Sequence, residues 1–204
     1  DKNTAVGVWA LYSLTTGAHN TAVGANCADS MTGGTRNTAM GYAAHDACTI
    51  GRYNTSVGYE ALSTDIDGDL SVAIGYQALA TQESDGAHQN VYNVAVGASA
   101  GNALTTGIRN TFIGGAAASN ATVTGDENTG IGYTALYALT TGASNVCVGN
   151  GTGSEITTGS NNIAIGEAAG NTGSPGGAQT TGSNEIFLGD ENITAANIQV
   201  DWTV

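Results

Sequence analysis

The sequence holds one proline, two phenylalanines and two tryptophans in 204 residues, and only four lysines and arginines against 17 acids. So few large apolar side chains argue against a conventional globular core, which would draw on many more of them. The formal charge of −13 disfavours contact with nucleic-acid phosphates and makes an anionic membrane an equally poor partner. No run of 18 apolar residues occurs, so no membrane-inserting helix is expected, and no secretory signal opens the chain. The first residue is not Met, which fits a processed or truncated piece of something longer. Cys27, Cys48 and Cys147 lack the paired spacing of a metal or disulfide framework and read as small buried hydrophobes.

What the chain has is a repeat. Variants of Asn-Thr-Ala-Val-Gly recur eleven times, closing at Gly7, Gly24, Gly41, Gly58, Gly75, Gly97, Gly114, Gly132, Gly149, Gly166 and Gly189. Seven of the ten steps are 17 residues; the others are 22, 18 and 23. A short fixed period predicts a stack of like units that each contact only their neighbours. The expected fold is therefore all-β, a parallel β-roll or β-solenoid of about eleven 17-residue coils. A second glycine, ten residues into most units, as in Thr15-Thr16-Gly17 and Thr140-Thr141-Gly142, marks a tight turn.

Aligning the units gives columns. Asn opens nearly all of them, with Ser71 and Glu185 as exceptions, and a structural Asn ladder is expected. The residue before the motif glycine is always large and apolar (Val6, Val23, Met40, Ile74, Leu188), and that column is expected to be buried. The third residue after the glycine is small, as in Cys27, Ala44 and Ala135, and reads as a close-packed inner corner. So thin a coil buries little apolar area at about 25 cal/mol per Å² against chain entropy. This predicts an intertwined or side-by-side homotrimer. Leu11, Leu62, Leu79 and Leu136, with Tyr42, Tyr59, Tyr76 and Tyr133, are the candidates for its second face.

Few residues point to chemistry. Asp65, Asp67 and Asp69 flank Gly68 and form a candidate Ca²⁺ loop, although no EF-hand spacing with its closing Glu follows. No other cofactor is expected. His19, His45 and His88 lie in separate units, and nothing brings them to a nucleophile. Asp126-Glu127 and Asp190-Glu191 are neighbours in turns, without the gap that glycoside hydrolysis needs between carboxylates. The expectation is that the chain is not an enzyme. Lengthened units near Thr81–Tyr92 and Asn171–Gln179 predict protruding loops. Tyr92, Asn171, Ser174, Pro175 and Gln179 are the candidate receptor contacts.

Ser71-Val72-Ala73-Ile74-Gly75 and Asn162-Ile163-Ala164-Ile165-Gly166 resemble the head repeats of YadA-like trimeric autotransporter adhesins, although the period here is longer. The extended forms Gly75-Tyr76-Gln77-Ala78-Leu79 and Gly132-Tyr133-Thr134-Ala135-Leu136 are more similar to repeats of bacteriophage tail fibres and appendages. The segment from Phe187-Leu188-Gly189-Asp190 to Val204 resembles the stretch upstream of an endosialidase-type intramolecular chaperone. The resemblance implies a fibre domain over 1–189 and a connector over 190–204 before a removed chaperone. It also implies a homotrimer in a virion tail fibre, assembled in the bacterial host cytoplasm. Expected partners are other tail or fibre proteins and a host-surface glycan or protein. The alternatives are the head of a bacterial trimeric adhesin and a polysaccharide-cleaving tailspike.

Overall fold

A computed structural model describes residues 2–84, 88–174 and 177–194. Eleven three-residue strands, β1 (Thr4–Val6) through β11 (Ile186–Leu188), pair in chain order into one parallel sheet. The described residues contain no helix. Register follows the repeat: Thr21, Ala22 and Val23 stand opposite Thr38, Ala39 and Met40. The fold is the β-solenoid that the period predicts, with one turn of chain per repeat.

The strands carry only part of the stack. On the arm after the motif glycine, Leu11 N donates to Cys27 O at 3.1 Å and Ala28 N to Ala44 O at 2.9 Å. At the second turn Thr15 N donates to Thr32 O at 3.0 Å, and Thr32 N to Thr49 O at 2.9 Å. Bonds of opposite sense run between them, such as Asn26 N to Val8 O at 2.9 Å. This reversal follows from left-handed residues two and four places after the motif glycine, such as Glu60 (φ 51°) and Leu62 (φ 54°). Each turns a peptide plane over, so successive amides point up and down the stack. An L-residue there costs about 1 kcal/mol, which the inter-coil bond of about 0.5–1.5 kcal/mol offsets. The motif glycine is stricter. Gly58 has φ 136°, and a Cβ on it would run into the carbonyl of Gly75 in the next coil.

The Asn ladder runs inside the coil. Asn37 N donates to Asn20 Oδ1 at 2.9 Å, and Asn37 Oδ1 accepts from Asn54 N at 2.9 Å. Asn37 Nδ2 crosses its own coil to Gly51 O at 2.7 Å. The same side chain therefore ties one coil to the next and the strand to the second turn. Asn20, Asn110, Asn128, Asn145 and Asn162 repeat the arrangement.

This ladder overturns one expectation. Side chains alternate along a strand, and the large apolar column stands three residues after Asn. With Asn inward, Thr points out, the middle residue in, and the large residue out. Ala22, Ala39, Ala73, Ala95, Phe112, Cys147 and Ala164 are buried, whereas Val6, Met40, Ile74, Ile165 and Leu188 are exposed. The interior is too narrow for a Val or Ile at each level.

A second correction concerns the leucines. Leu62, Leu79 and Leu136 are fully buried and Leu11 nearly so, inside the coil rather than on a second face. The small column is interior as expected, with Cys27, Ala44, Ala61 and Ala135 all buried. Large and small residues complement one another between levels. A Cβ on Gly101 would meet Phe112 at 3.2 Å and one on Gly130 would meet it at 3.3 Å, so these two glycines make room for the ring.

Candidate functional site

The apolar interior is divided. One cluster gathers Leu11, Ala22, Cys27, Met31 and Cys48; the other runs from Ala61 to Phe187. Where they meet lies a polar waist, which shares its levels with Ala61, Leu62, Ala73 and Leu79 of the second cluster and is built where the first lengthened unit joins the stack. Leu14, Met31, Cys48, Asp65, Leu104, Leu139 and Ile156 each stand three residues before a turn glycine. At Asp65 this apolar column becomes charged.

Asp65 is fully buried, not part of a surface loop. Its Oδ2 accepts from Gln82 Nε2 at 2.7 Å, and its Oδ1 from the amides of Gly68 at 3.2 Å and Ser84 at 3.3 Å. Burial pushes its carboxyl above the usual range, and these bonds pull it partly back. Gln82 also donates to Ser71 Oγ at 3.0 Å and accepts from Asn93 Nδ2 at 3.0 Å. It thereby bridges the one internal level at which the ladder has Ser in place of Asn.

The other two aspartates turn elsewhere. Asp67 accepts from Ser84 Oγ. Asp69 is buried and holds Arg52 through Nε at 3.0 Å and Nη2 at 2.8 Å, and its Oδ1 accepts from Arg52 N at 2.7 Å. His88 Nδ1 stands 3.7 Å from Asp69 Oδ1. Asp65 and Asp67 thus share Ser84, which bonds the first through its amide and the second through its hydroxyl, while Asp69 is committed to Arg52. Among the described residues no three His, Cys, Asp or Glu side chains are grouped to hold a metal ion.

Just before the waist, His45 and Ser56 are fully buried, and neither ring nitrogen of His45 nor Ser56 Oγ has a hydrogen-bond partner. Burial lowers the His45 pKa to about 4, so the ring is neutral at pH 7. Burial also raises Cys27 to about 11 and Cys48 and Cys147 to about 12, the opposite of an activated thiol.

The candidate contact residues differ in placement. Tyr92 is exposed. Asn171 instead donates through Nδ2 to Gly151 O at 2.6 Å and Ser154 Oγ at 2.9 Å, anchoring its loop to the previous coil. Ser174 is buried and donates to Ala168 O at 2.9 Å. Gln179 N donates to Gly170 O at 2.9 Å and closes the base of the loop. Pro175 lies outside the described residues. In this segment Thr172, Gly173 and Ala178 face outward.

The largest surface feature is the outer face of the sheet. Val6, Met40, Ile74, Ile113, Val148, Ile165 and Leu188 project from it, beside Ile163 and Ile186 of the other outward column. Along its edge the rings of Tyr42, Tyr59 and Tyr76 stack at 5.3 and 5.4 Å, 15° and 13° from parallel. Stacking hides the ring faces against one another and presents edges and hydroxyls. No pocket opens among the described residues. Parity could have revealed the outer face from sequence, because Asn and the large column cannot both point inward. Comparison with family models, curated proteins and solved structures finds no match for this chain.

Proposed function

We propose that this chain is a structural and adhesive segment of a virion fibre, a phage tail fibre or similar appendage, that works as a homotrimer and contacts the bacterial surface. The observation that carries the reading is the outward sheet face. Large apolar side chains extend along it from Val6 to Leu188, far beyond the scattered single residues of an ordinary soluble surface. A second copy of this chain repeats every feature at the same spacing, so copies can meet level by level. Three identical stacks also give a stiff rod on which weak contacts add through avidity. In this reading Thr172 and Gly173 at the outer loop and Tyr92 face the target, while Asn171, Ser174 and Gln179 hold the loop in place.

Solution mass by size exclusion with light scattering is the direct test. Three chains of 20.2 kDa should give about 60 kDa. Replacing Ile74, Ile113 and Ile165 by Thr should shift the mass toward one chain. A parent that runs as a clean monomer would remove the trimer and the rod-like fibre with it.

A further inference from the structure

Charge is unevenly distributed along the chain. Residues 1–55 hold three acids (Asp1, Asp29, Asp46) and three bases (Lys2, Arg36, Arg52), whereas residues 56–204 hold the other 14 acids and Arg109, and so the whole charge of −13. The first coils are neutral overall, and their bases are ordered. Lys2, His19 and Arg36 occupy the same place in three successive coils, each just before the ladder Asn, and Tyr53 follows in the fourth.

All four are left-handed, with φ between 60° and 71°, and all four are exposed. Arg36 N donates to Ala18 O at 3.0 Å and Tyr53 N to Thr35 O at 3.1 Å, which sets the rungs at the coil spacing. That spacing is about 4.8 Å.

The rungs are also unspent. Arg52 is neutralised by buried Asp69, and Arg109 by Glu127 at 3.0 Å with Asp126 at 3.9 Å. Lys2, His19 and Arg36 have no ion pair among the described residues. Arg36 lies over the Tyr53 ring at 5.3 Å and donates to its hydroxyl at 3.1 Å, which steadies the guanidinium and leaves other donors free. The flanking columns in these coils hold Thr4, Thr21, Thr38 and Thr55 on one side and Asp1, Ala18, Thr35 and Arg52 on the other, so Asp1, at the outermost rung, is the one acid among them.

The geometry points to the Lys2–His19–Arg36–Tyr53 column as a binding strip for a linear acidic polysaccharide, its carboxylates or sulfates meeting successive rungs. This rests on the surface-contacting reading above and moves the contact to the first coils. Charge density favours a glycan over nucleic acid. A glycan bears an anion every one or two sugars and matches a short ladder. A nucleic-acid backbone, far more densely charged, would run on into the acidic coils. The nearest acid beyond the strip, Asp69, stands one coil past Tyr53 and is spent on Arg52; at about 4.8 Å per coil it is about 10 Å from Arg36, past the screening length of about 8 Å at physiological salt.

The test uses the full chain and four immobilised polymers: polygalacturonate, dextran sulfate, neutral dextran and single-stranded DNA. Lys2→Asn with Arg36→Asn removes the charge without straining the fold, since Asn161 and Asn184 already hold this place with φ 56° and 64°. The expected result is retention on at least one acidic glycan and none on dextran. Affinity should fall at least tenfold in the double variant at low salt, and stay unchanged in Arg109→Asn. The polygalacturonate and dextran sulfate arms tell carboxylate from sulfate. Equal binding by the double variant, DNA held as tightly as the acidic glycan, or no retention on either acidic polymer overturns the assignment. Light scattering on the same samples separates the two readings: a trimer that binds no glycan sinks the strip alone, and a monomer sinks the fibre.

Discussion

The levels around Ser56 and around Phe112 share one backbone and one pattern of inter-coil bonds, and they differ inside. Ser56 and Phe112 occupy the same middle place in their strands, and both are fully buried. Phe112 fills the space that Gly101 and Gly130 leave open, whereas Ser56 and the nearby His45 have polar atoms without partners. At the same level Asp65, and one level beyond Gln82, replace the apolar residues that fill another interior column in other coils. The backbone ladder therefore specifies the fold at every level, while interior chemistry sets how firmly each level is held. The waist is the weak stretch where the two apolar clusters meet.

The sharpest way to break this contrast is to truncate each middle residue. Phe112→Ala should cost about 3–5 kcal/mol, read by urea unfolding. Ser56→Ala should be neutral or stabilising by about 1 kcal/mol, because a buried unpaired hydroxyl is removed. A comparable loss from both would mean that the waist is packed as tightly as the far core.

The next effect is in pH. The folded pKa of His45 is depressed to about 4 from 6.5. Its contribution is fully present above pH 6.5 and lost as pH falls through 4, roughly 3 kcal/mol in all. Asp65 works against it: a raised folded pKa means its contribution is present below its unfolded value and lost as pH rises. Asp46, beside His45, is also raised, by burial first and Asp29 second, and has the same sign as Asp65. His45→Leu, which places in this column the residue found at Leu62 and Leu79, isolates the histidine. Its melting temperature should fall less than the parent's between pH 7 and pH 4. Parallel curves would exclude His45 as a source of acid sensitivity.

The smallest effect lies outside. The Tyr42–Tyr59–Tyr76 stack spans the same coils as the waist and braces it from the surface. Tyr59→Ser removes both ring contacts and should cost about 1 kcal/mol. Hydrogen exchange should show the loss in the coils of Asn54 and Ser71 rather than in those beyond Phe112.

The period, the strand positions, the turn glycines and the Asn ladder could all be read from the sequence, because each depends on local spacing alone. The facing of the large column could not be read from apolar character, since Val6 or Ile165 suits either side of a sheet. Only the phase set by the inward Asn decides it. The leucines misled for the opposite reason: Leu62 and Leu136 look like interface residues until left-handed turns point them inward. Asp65 looked like part of an acidic surface cluster, and nothing local announces its burial. Its partner Gln82 arrives from the next, lengthened unit. The unpaired state of His45 was equally hidden, because an orphan is defined by its neighbours in other coils.

The reach of the ladder Asn has a consequence for length. Each Asn ties its own coil to the coils directly before and after it and to nothing beyond. Removing residues 133–149, one whole period, therefore brings together two levels that already fit, and duplicating them does the same. A cut that does not remove a whole number of units leaves amides without partners at the bonds it crosses. The molecule is a ruler graduated in whole units of about 4.8 Å, whose reach can be reset by copying or deleting marks without redesigning any of them.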